Sequence, residues 1–268
     1  MSTRRGGPDQ PPGRLEAIEA RLAELEAEVA GLRSAMAAYR GPPGSRRDPG
    51  PRFAAVYPAF QDQFRGTQAE VTAKLSVYLP DVDRLVRKGG VVDVGPGRGE
   101  WLALLAGRRI PAHGVDTHEE LAGLCRARGL QVILGRAADH LASLAPGTVD
   151  MVTAFHVIEH LGTEELIELI LAARQALRPG GCLLLETPNP TNLVMASCDF
   201  YNDPTHRSPL PPDLTVFLVT AHGFGQVEVR HLNPGQAPGE AGPADDVARR
   251  LYGPQDYAVL AYRPECRR

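Results

Sequence analysis

The run Val91-Val92-Asp93-Val94-Gly95-Pro96-Gly97-Arg98-Gly99-Glu100 constrains this chain most, because an apolar strand passes directly into a turn with glycine at alternate positions. Lacking Cβ atoms, such a turn can double back tightly, admit a ligand to the backbone, and pack the next helix against the strand. That helix is expected from about Glu100 to Gly107, with its first amides facing the ligand. Phosphate-binding loops and dinucleotide folds share glycine-rich turns, so the surrounding pattern must decide the class. Val115-Asp116 closes a second apolar segment, Ile110 to Val115, and sets a carboxylate where a ribose diol is usually held. Further strands are expected at Leu130 to Leu134, Val149 to Phe155 and Cys182 to Thr187, with a long amphipathic helix from Thr163 to Leu177. A helix from about Pro212 to His222, a strand from Gly225 to Arg230, a polar loop and a last strand from Tyr257 to Tyr262 complete the pattern. It describes an α/β, doubly wound, seven-stranded Rossmann-like sheet with an antiparallel final hairpin. No second nucleotide-binding half follows, which argues against a dehydrogenase.

Composition bounds the partners. A chain of 268 residues with 43 % hydrophobic content suits one domain plus appendages, and a net charge of −3 gives no basic face for nucleic acid. Cys125, Cys182, Cys198 and Cys266 lack paired spacing, as expected for free thiols in the cytoplasm, and no apolar run approaches the roughly 18 residues of a membrane span. Residues 1–13 are expected to be disordered. Residues 14–39 carry Leu15, Ile18, Leu22, Leu25, Val29, Leu32 and Met36 at alternating steps of three and four, a coiled-coil seam. So narrow a seam needs a partner: a second copy in a homodimer, or the chain's own main domain. Residues 40–52 form a Pro/Gly linker, and 53–268 the main domain, with a helical cap over 53–88 and a Pro-rich insertion on the substrate side over 188–212. Phe53, Val56, Tyr57, Phe60 and Phe64 in the cap either cover the ligand or pack in the core.

The spacing Asp93-x-Gly95-x-Gly97-x-Gly99, with the acid inside the strand, resembles motif I of the class I S-adenosylmethionine (SAM) methyltransferases, and Leu177-Arg178-Pro179-Gly180-Gly181 is similar to their helix-to-strand turn. The resemblance implies SAM as cofactor, with Asp93 and Phe155 lining its site, Gly95, Gly97 and Gly99 shaping the methionine side, and Asp116 binding the ribose. The Ala137 amide would serve the adenine, and Asp139 would supply the carboxylate that Arg136 cannot. Arg65-Gly66, between two helices, is placed to reach the methionine carboxylate or an anionic substrate.

Methyl transfer is an in-line displacement, so the protein must position the acceptor and handle its proton. Candidate groups belong at the ends of the fourth and fifth strands: Phe155 to Leu161, Thr187 to Pro190, and Asp203 to His206 in the insertion. His156 is the expected general base, with Glu159 and His206 as further catalytic candidates; Tyr57, Asn189, Tyr201 and Asp203 are candidates for acceptor binding. Phe64-Arg65-Gly66, Tyr78-Leu79-Pro80, Gly97-Arg98-Gly99-Glu100-Trp101, His156-x-x-Glu159-His160, Glu186-Thr187-Pro188-Asn189-Pro190, Asp203-Pro204-Thr205-His206 and Pro209-Leu210-Pro211-Pro212 together resemble the methyltransferase part of the bifunctional enzymes that terminate mannose O-antigen chains. That likeness, over about Phe53 to Asn233, implies a sugar or oligomannoside hydroxyl as acceptor, in a stand-alone enzyme without their kinase domain. A second likeness is to ubiquinone-pathway and plant small-RNA O-methyltransferases, whose Glu-x-x-Glu-His and later His bind a divalent ion. It implies Mg²⁺ on Glu159, His160 and His206, acidifying a hydroxyl, although His156 stands where those enzymes have the first Glu. The plainer reading is that Glu159 and His160 cap the next helix. Rival functions are tailoring of a small natural product, RNA 2′-O-methylation, which would want a basic face, and a coiled-coil scaffold with a vestigial SAM fold. His113, His118, His140, His222 and His231 are read as surface or packing residues.

Overall fold

The computed structural model describes residue 21 and residues 56–235 and 246–265. The chain divides into 1–47 and 48–268. In the first part only Arg21, exposed and helical, is described, so the expected tail, heptad seam and linker, and also Phe53, lie outside the described residues.

The helical cap is three short helices, and Arg65-Gly66 lies between the first two, as expected. Helix α1 (Tyr57–Phe64) ends before Gly66, and α2 (Gln68–Leu75) starts at a capping box in which Thr67 and Glu70 bond each other's backbone. A 3₁₀ turn, Ser76–Tyr78, leads into α3 (Leu79–Leu85), with Pro80 near its start where a missing N–H costs nothing. Then strands and helices alternate: β1 (Val91–Val94), α4 (Glu100–Gly107), β2 (Ala112–Asp116), α5 (Glu119–Ala127), β3 (Val132–Leu134), α6 (Ala137–Ser143), β4 (Val149–Phe155), α7 (Thr163–Ala176) and β5 (Leu177–Pro188). The insertion holds α8 (Leu193–Ser197) and a 3₁₀ turn at Asp199–Asn202, before α9 (Pro212–Ala221), β6 (Val227–Pro234), α10 (Asp246–Tyr252) and β7 (Pro254–Tyr262).

Among the described residues the strands form one seven-stranded sheet in the order β3-β2-β1-β4-β5-β7-β6. Strands β1 to β5 are parallel and β7 runs antiparallel between β5 and β6, the Rossmann-like arrangement that the alternation implies. Helices cover both faces, so β1 and β4 are buried at every position instead of alternating. Val92, Val152, Leu183 and Leu185 pack with Leu166 and Ile170 of α7 on one face. Val91, Met151 and Leu184 pack with Trp101, Leu105, Tyr78 and Val82 on the other.

Three local expectations are corrected. Residues Leu177 to Gly181 belong to β5 and not to a turn: Leu177 already pairs with Val149, so α7 stops at Ala176. Asp150 holds this junction, accepting from the backbone N–H groups of Arg87, Gly89 and Gly90 and pairing with Arg178. Beyond β6, the stretch expected to be all loop includes α10, and β6 itself is shifted to Val227–Pro234.

The antiparallel strand matters for the site. Because β7 runs against β5, its N-terminal end reaches the edge where β1, β2, β4 and β5 end, and Asp256 lies opposite Pro188 while Ala258 lies opposite Glu186. Glu186 and Asp256 are therefore diagonal neighbours across two strands.

Candidate functional site

One half of this edge is built by the glycine turn. Gly95, Gly97 and Gly99 all take left-handed backbone angles, with φ of 63°, 55° and 82°. A Cβ on Gly95 would stand 2.7 Å from Val157 Cγ2, and one on Gly99 would stand 2.6 Å from Leu130 Cδ1, so the turn is closed by packing as well as by conformation. Asp93, buried in β1, accepts a 2.7 Å hydrogen bond from Thr153, and burial raises its pKa to about 7. Asp116, at the end of β2, accepts from the His118 N–H at 2.8 Å; burial raises its pKa against these backbone donors. The Tyr57 ring stacks on His118 at 6.1 Å and its hydroxyl donates to Asp203 at 3.3 Å, so α1 reaches both the turn side and the insertion. The left-handed glycine turn, the carboxylate beyond it and a buried His118 Nδ1 without a hydrogen-bond partner fit a nucleoside with a charged tail.

Four candidates take different parts. Arg65 donates to the carbonyls of Phe155 (3.2 Å) and His156 (3.4 Å), so it ties down the end of β4 instead of reaching for a ligand carboxylate. Asp139, expected at the adenine, is exposed and turned to Arg136 at 3.5 Å, because Ala137 starts α6 and carries the third residue outward. Asn189, expected to bind acceptor, spends its side chain on the Pro254 carbonyl and on Thr191. Tyr201 is 61 % exposed and packs edge-on against Phe200. Gly66 keeps a left-handed backbone and its carbonyl accepts from Arg98, while Phe155 is buried between Trp101 and Tyr78, each ring at 5.4 Å.

The other half gathers acids and imidazoles. Glu159 and His160 lie in a 3₁₀ turn, Ile158–His160, and the following helix is capped by Glu165, so they are not its caps. Glu159 is fully buried; Oε2 accepts from Thr187 at 2.9 Å and Oε1 has no hydrogen-bond partner. His206 Nδ1 meets the Phe200 carbonyl at 2.6 Å and His160 Nδ1 meets the Thr205 hydroxyl at 2.7 Å, which itself donates to Asp203. Both rings thus carry the Nδ1 proton, and their Nε2 lone pairs are left for a ligand. Donor atoms of Glu159, His160 and His206 all lie within 4.8 Å of one another. Imidazole neighbours hold the Glu159 carboxyl well below the usual range in spite of its burial, and burial lowers the His160 pKa.

His156 differs from its expected role. It has a left-handed φ of 54°, its N–H is bonded to the Glu186 carbonyl at 2.9 Å, and its ring stands among three carboxylates. Nδ1 is 3.4 Å from Glu159; Nε2 is 3.5 Å from Glu186 and 3.7 Å from Asp256. Burial disfavours a charged ring, but Asp256, Glu159 and Glu186 outweigh it and raise the pKa to about 10. A ring held toward its charged form by three carboxylates is a poor proton acceptor, which sets its surroundings against the expected general-base role. Sequence reasoning missed Glu186, Asp256 and Tyr78, whose hydroxyl donates to Glu186. Glu186 and Tyr78 stood inside quoted motifs without a role; Asp256 had no local signal.

The chain matches the family model described as a methyltransferase domain over residues 64–223. It is similar to a SAM-dependent methyltransferase from Archaeoglobus fulgidus, with 31 % identity and a TM-score of 0.70 over 77 % of this chain and 99 % of that one. The chain therefore belongs to the class I SAM-dependent methyltransferases, and SAM is the cofactor that the fold carries. More narrowly, it is similar to the ubiquinone biosynthesis O-methyltransferases of Methylococcus capsulatus (34 % identity over 37 % of this chain and 43 % of the relative) and Xanthomonas campestris pv. campestris (30 % over 54 % and 62 %). The matches thus span roughly half the length of these relatives. Among the described residues no helix is long and apolar enough to cross a membrane.

Proposed function

We propose that the chain is an O-methyltransferase whose acceptor hydroxyl is bound at a divalent cation held by Glu159, His160 and His206. The unpartnered, buried Oε1 of Glu159 facing two imidazoles with free Nε2 atoms carries this reading. SAM, when bound, supplies an electrophilic methyl group; a divalent ion, when bound, supplies Lewis acidity to the hydroxyl. The chain's own residues do the placing. Asp116 accepts from the ribose hydroxyls, the Gly95 to Gly99 turn and Asp93 receive the methionine end, and the Ala137 amide serves the adenine. Arg65 holds the Phe155–His156 backbone so that the acceptor side keeps its distance from the turn. Phe200, Thr205 and Thr187 orient His206, His160 and Glu159 from behind. Two nitrogens and one carboxylate form a softer donor set than Mg²⁺ prefers, so Mn²⁺ or Zn²⁺ is the better fit.

The acceptor we favour is a sugar hydroxyl, on the motifs from Phe64 to Pro212; Asp203, which accepts from the Tyr57 hydroxyl, stands on the insertion 4.0 Å from His206 Nε2. A phenolic acceptor is the second reading, favoured by the names of the curated relatives. Turnover of labelled SAM against an oligomannoside panel and a catechol panel, each with and without chelator, separates them. Methylation of oligomannoside that chelator abolishes is expected. Activity on catechols alone transfers the acceptor to the second reading, activity indifferent to chelator overturns the cation, and SAM binding without turnover on any acceptor favours a scaffold. We also propose that residues 14–39 pair two copies in a cytoplasmic dimer. Light scattering should then show a smaller assembly once residues 1–40 are deleted, and an unchanged one overturns the pairing.

A further inference from the structure

The structure assigns a second divalent-cation site to His156, Glu186 and Asp256, beside the Glu159 site and apart from it. Their donor atoms, Nε2, Oε1 and Oδ1, lie within 4.8 Å of one another. Each carboxylate has its outer oxygen tied by a neutral donor. Tyr78 donates to Glu186 Oε2, and Asn233 donates to Asp256 Oδ2 at 2.7 Å, leaving Oε1 and Oδ1 turned to the same ring nitrogen. This is the outer-shell support that orients metal ligands. On the ring's far side, Nδ1 lies 3.4 Å from Glu159 Oε1. Nε2 faces both carboxylate oxygens, and a divalent ion among the three atoms would take the place of a proton on Nε2. The separations say which kind. At 3.5 and 3.7 Å they exceed the roughly 2.7–2.9 Å of a charge-assisted hydrogen bond. Two ligands about 2.1 Å from one tetrahedral ion stand about 3.4 Å apart.

One imidazole and two carboxylates suit a first-row divalent ion such as Zn²⁺ or Mn²⁺ better than an all-oxygen ion. Glu186 and Asp256 are buried at 4 % and 5 % exposure while the His156 side chain keeps 29 %, so the remaining coordination positions open past His156 toward the acceptor side. On binding, any proton on Nε2 is released to water. The proposal goes beyond the Glu159 reading and can fail without it.

Metal analysis of the full chain after dialysis against Zn²⁺ tests it. Two ions per chain are expected in the wild type, one in E186Q, one in D256N, one in H206A, and none in H206A/E186Q. X-ray absorption of Zn²⁺-loaded H206A should show a single imidazole on the ion. One ion in the wild type that E186Q and D256N both retain, or two ions unchanged in both variants, overturns the second site and leaves the first. No ion at all overturns both, and two imidazoles on the ion in H206A also overturn the assignment. Glu186 and Asp256 lie on different strands, and unchanged SAM affinity shows that each variant is folded, so a defect in one leaves the other to decide.

Discussion

The cofactor half and the acceptor half of the site share one sheet edge but are made differently. The first comes chiefly from one stretch, Asp93 to His118, with the Ala137 amide beyond it, and works through backbone: left-handed glycines, a strand-end carboxylate and amides. The second takes Tyr78, His156, Glu159, Glu186, His206 and Asp256 from separate segments and works through buried charge. Local backbone geometry tolerates little substitution and, packing neighbours such as Val157 and Leu130 apart, asks for no distant charged partner. A buried charge cluster depends wholly on distant partners, since an unpaired buried carboxylate costs several kcal/mol. The halves should therefore fail independently and with different signatures.

The largest expected effect is on the acceptor side. Glu159→Gln should lower methyl transfer by about 10²- to 10⁴-fold while SAM affinity, by calorimetry, stays within about twofold. A parallel loss of SAM affinity would break the division between the halves. Gly99→Ala tests the other mode. A left-handed backbone costs a side chain about 1–2 kcal/mol and overpacking against Leu130 and Cys125 about 1–3 more, so denaturant unfolding should report a loss of about 2–5 kcal/mol. Full stability in that variant would mean that the turn is looser than its packing implies.

Asp116→Ala should weaken SAM by about ten- to a hundredfold or more, because charge-assisted bonds to a diol are worth about 1.5–3 kcal/mol. Acceptor saturation at high SAM should be unchanged; a shift there would show that the carboxylate serves both halves. The smallest effect is electrostatic. His113 and His140, on β2 and α6, meet through Nε2 at 2.8 Å, and burial lowers the pKa of both. Below the ordinary histidine pKa of about 6.5 the unfolded chain binds protons that the folded rings refuse, so stability falls with pH until the folded pKa values are passed. His140→Gln should flatten that slope in thermal melts from pH 7 to 5, and an unchanged slope would place it elsewhere.

The contrast also explains what could be read in advance. Strands β1 and β4, helix α4 and the glycine turn follow from apolar runs and punctuation along the chain, because the pattern that marks each of them lies within its own segment. The boundaries of β5 and β6 did not, since pairing of Leu177 with Val149, and of β6 with β7, overrides the turn propensity of Pro179-Gly180-Gly181 and the polar character of 231–234. The likeness to cation-binding O-methyltransferases pointed to Glu159, His160 and His206, yet only the fold gives the two Nδ1 anchors and the unpartnered oxygen beside them.

By itself, then, the sequence determined the glycine turn, the strand before it and the carboxylate at the end of β2, because each is written in residues that are neighbours in the chain. What His156 does was decided only by tertiary structure. Antiparallel pairing of β7 with β5 brings Asp256 from a hundred residues away to stand with Glu186 over the ring, and the charge of an imidazole is set by what surrounds it in space, not by what adjoins it along the chain.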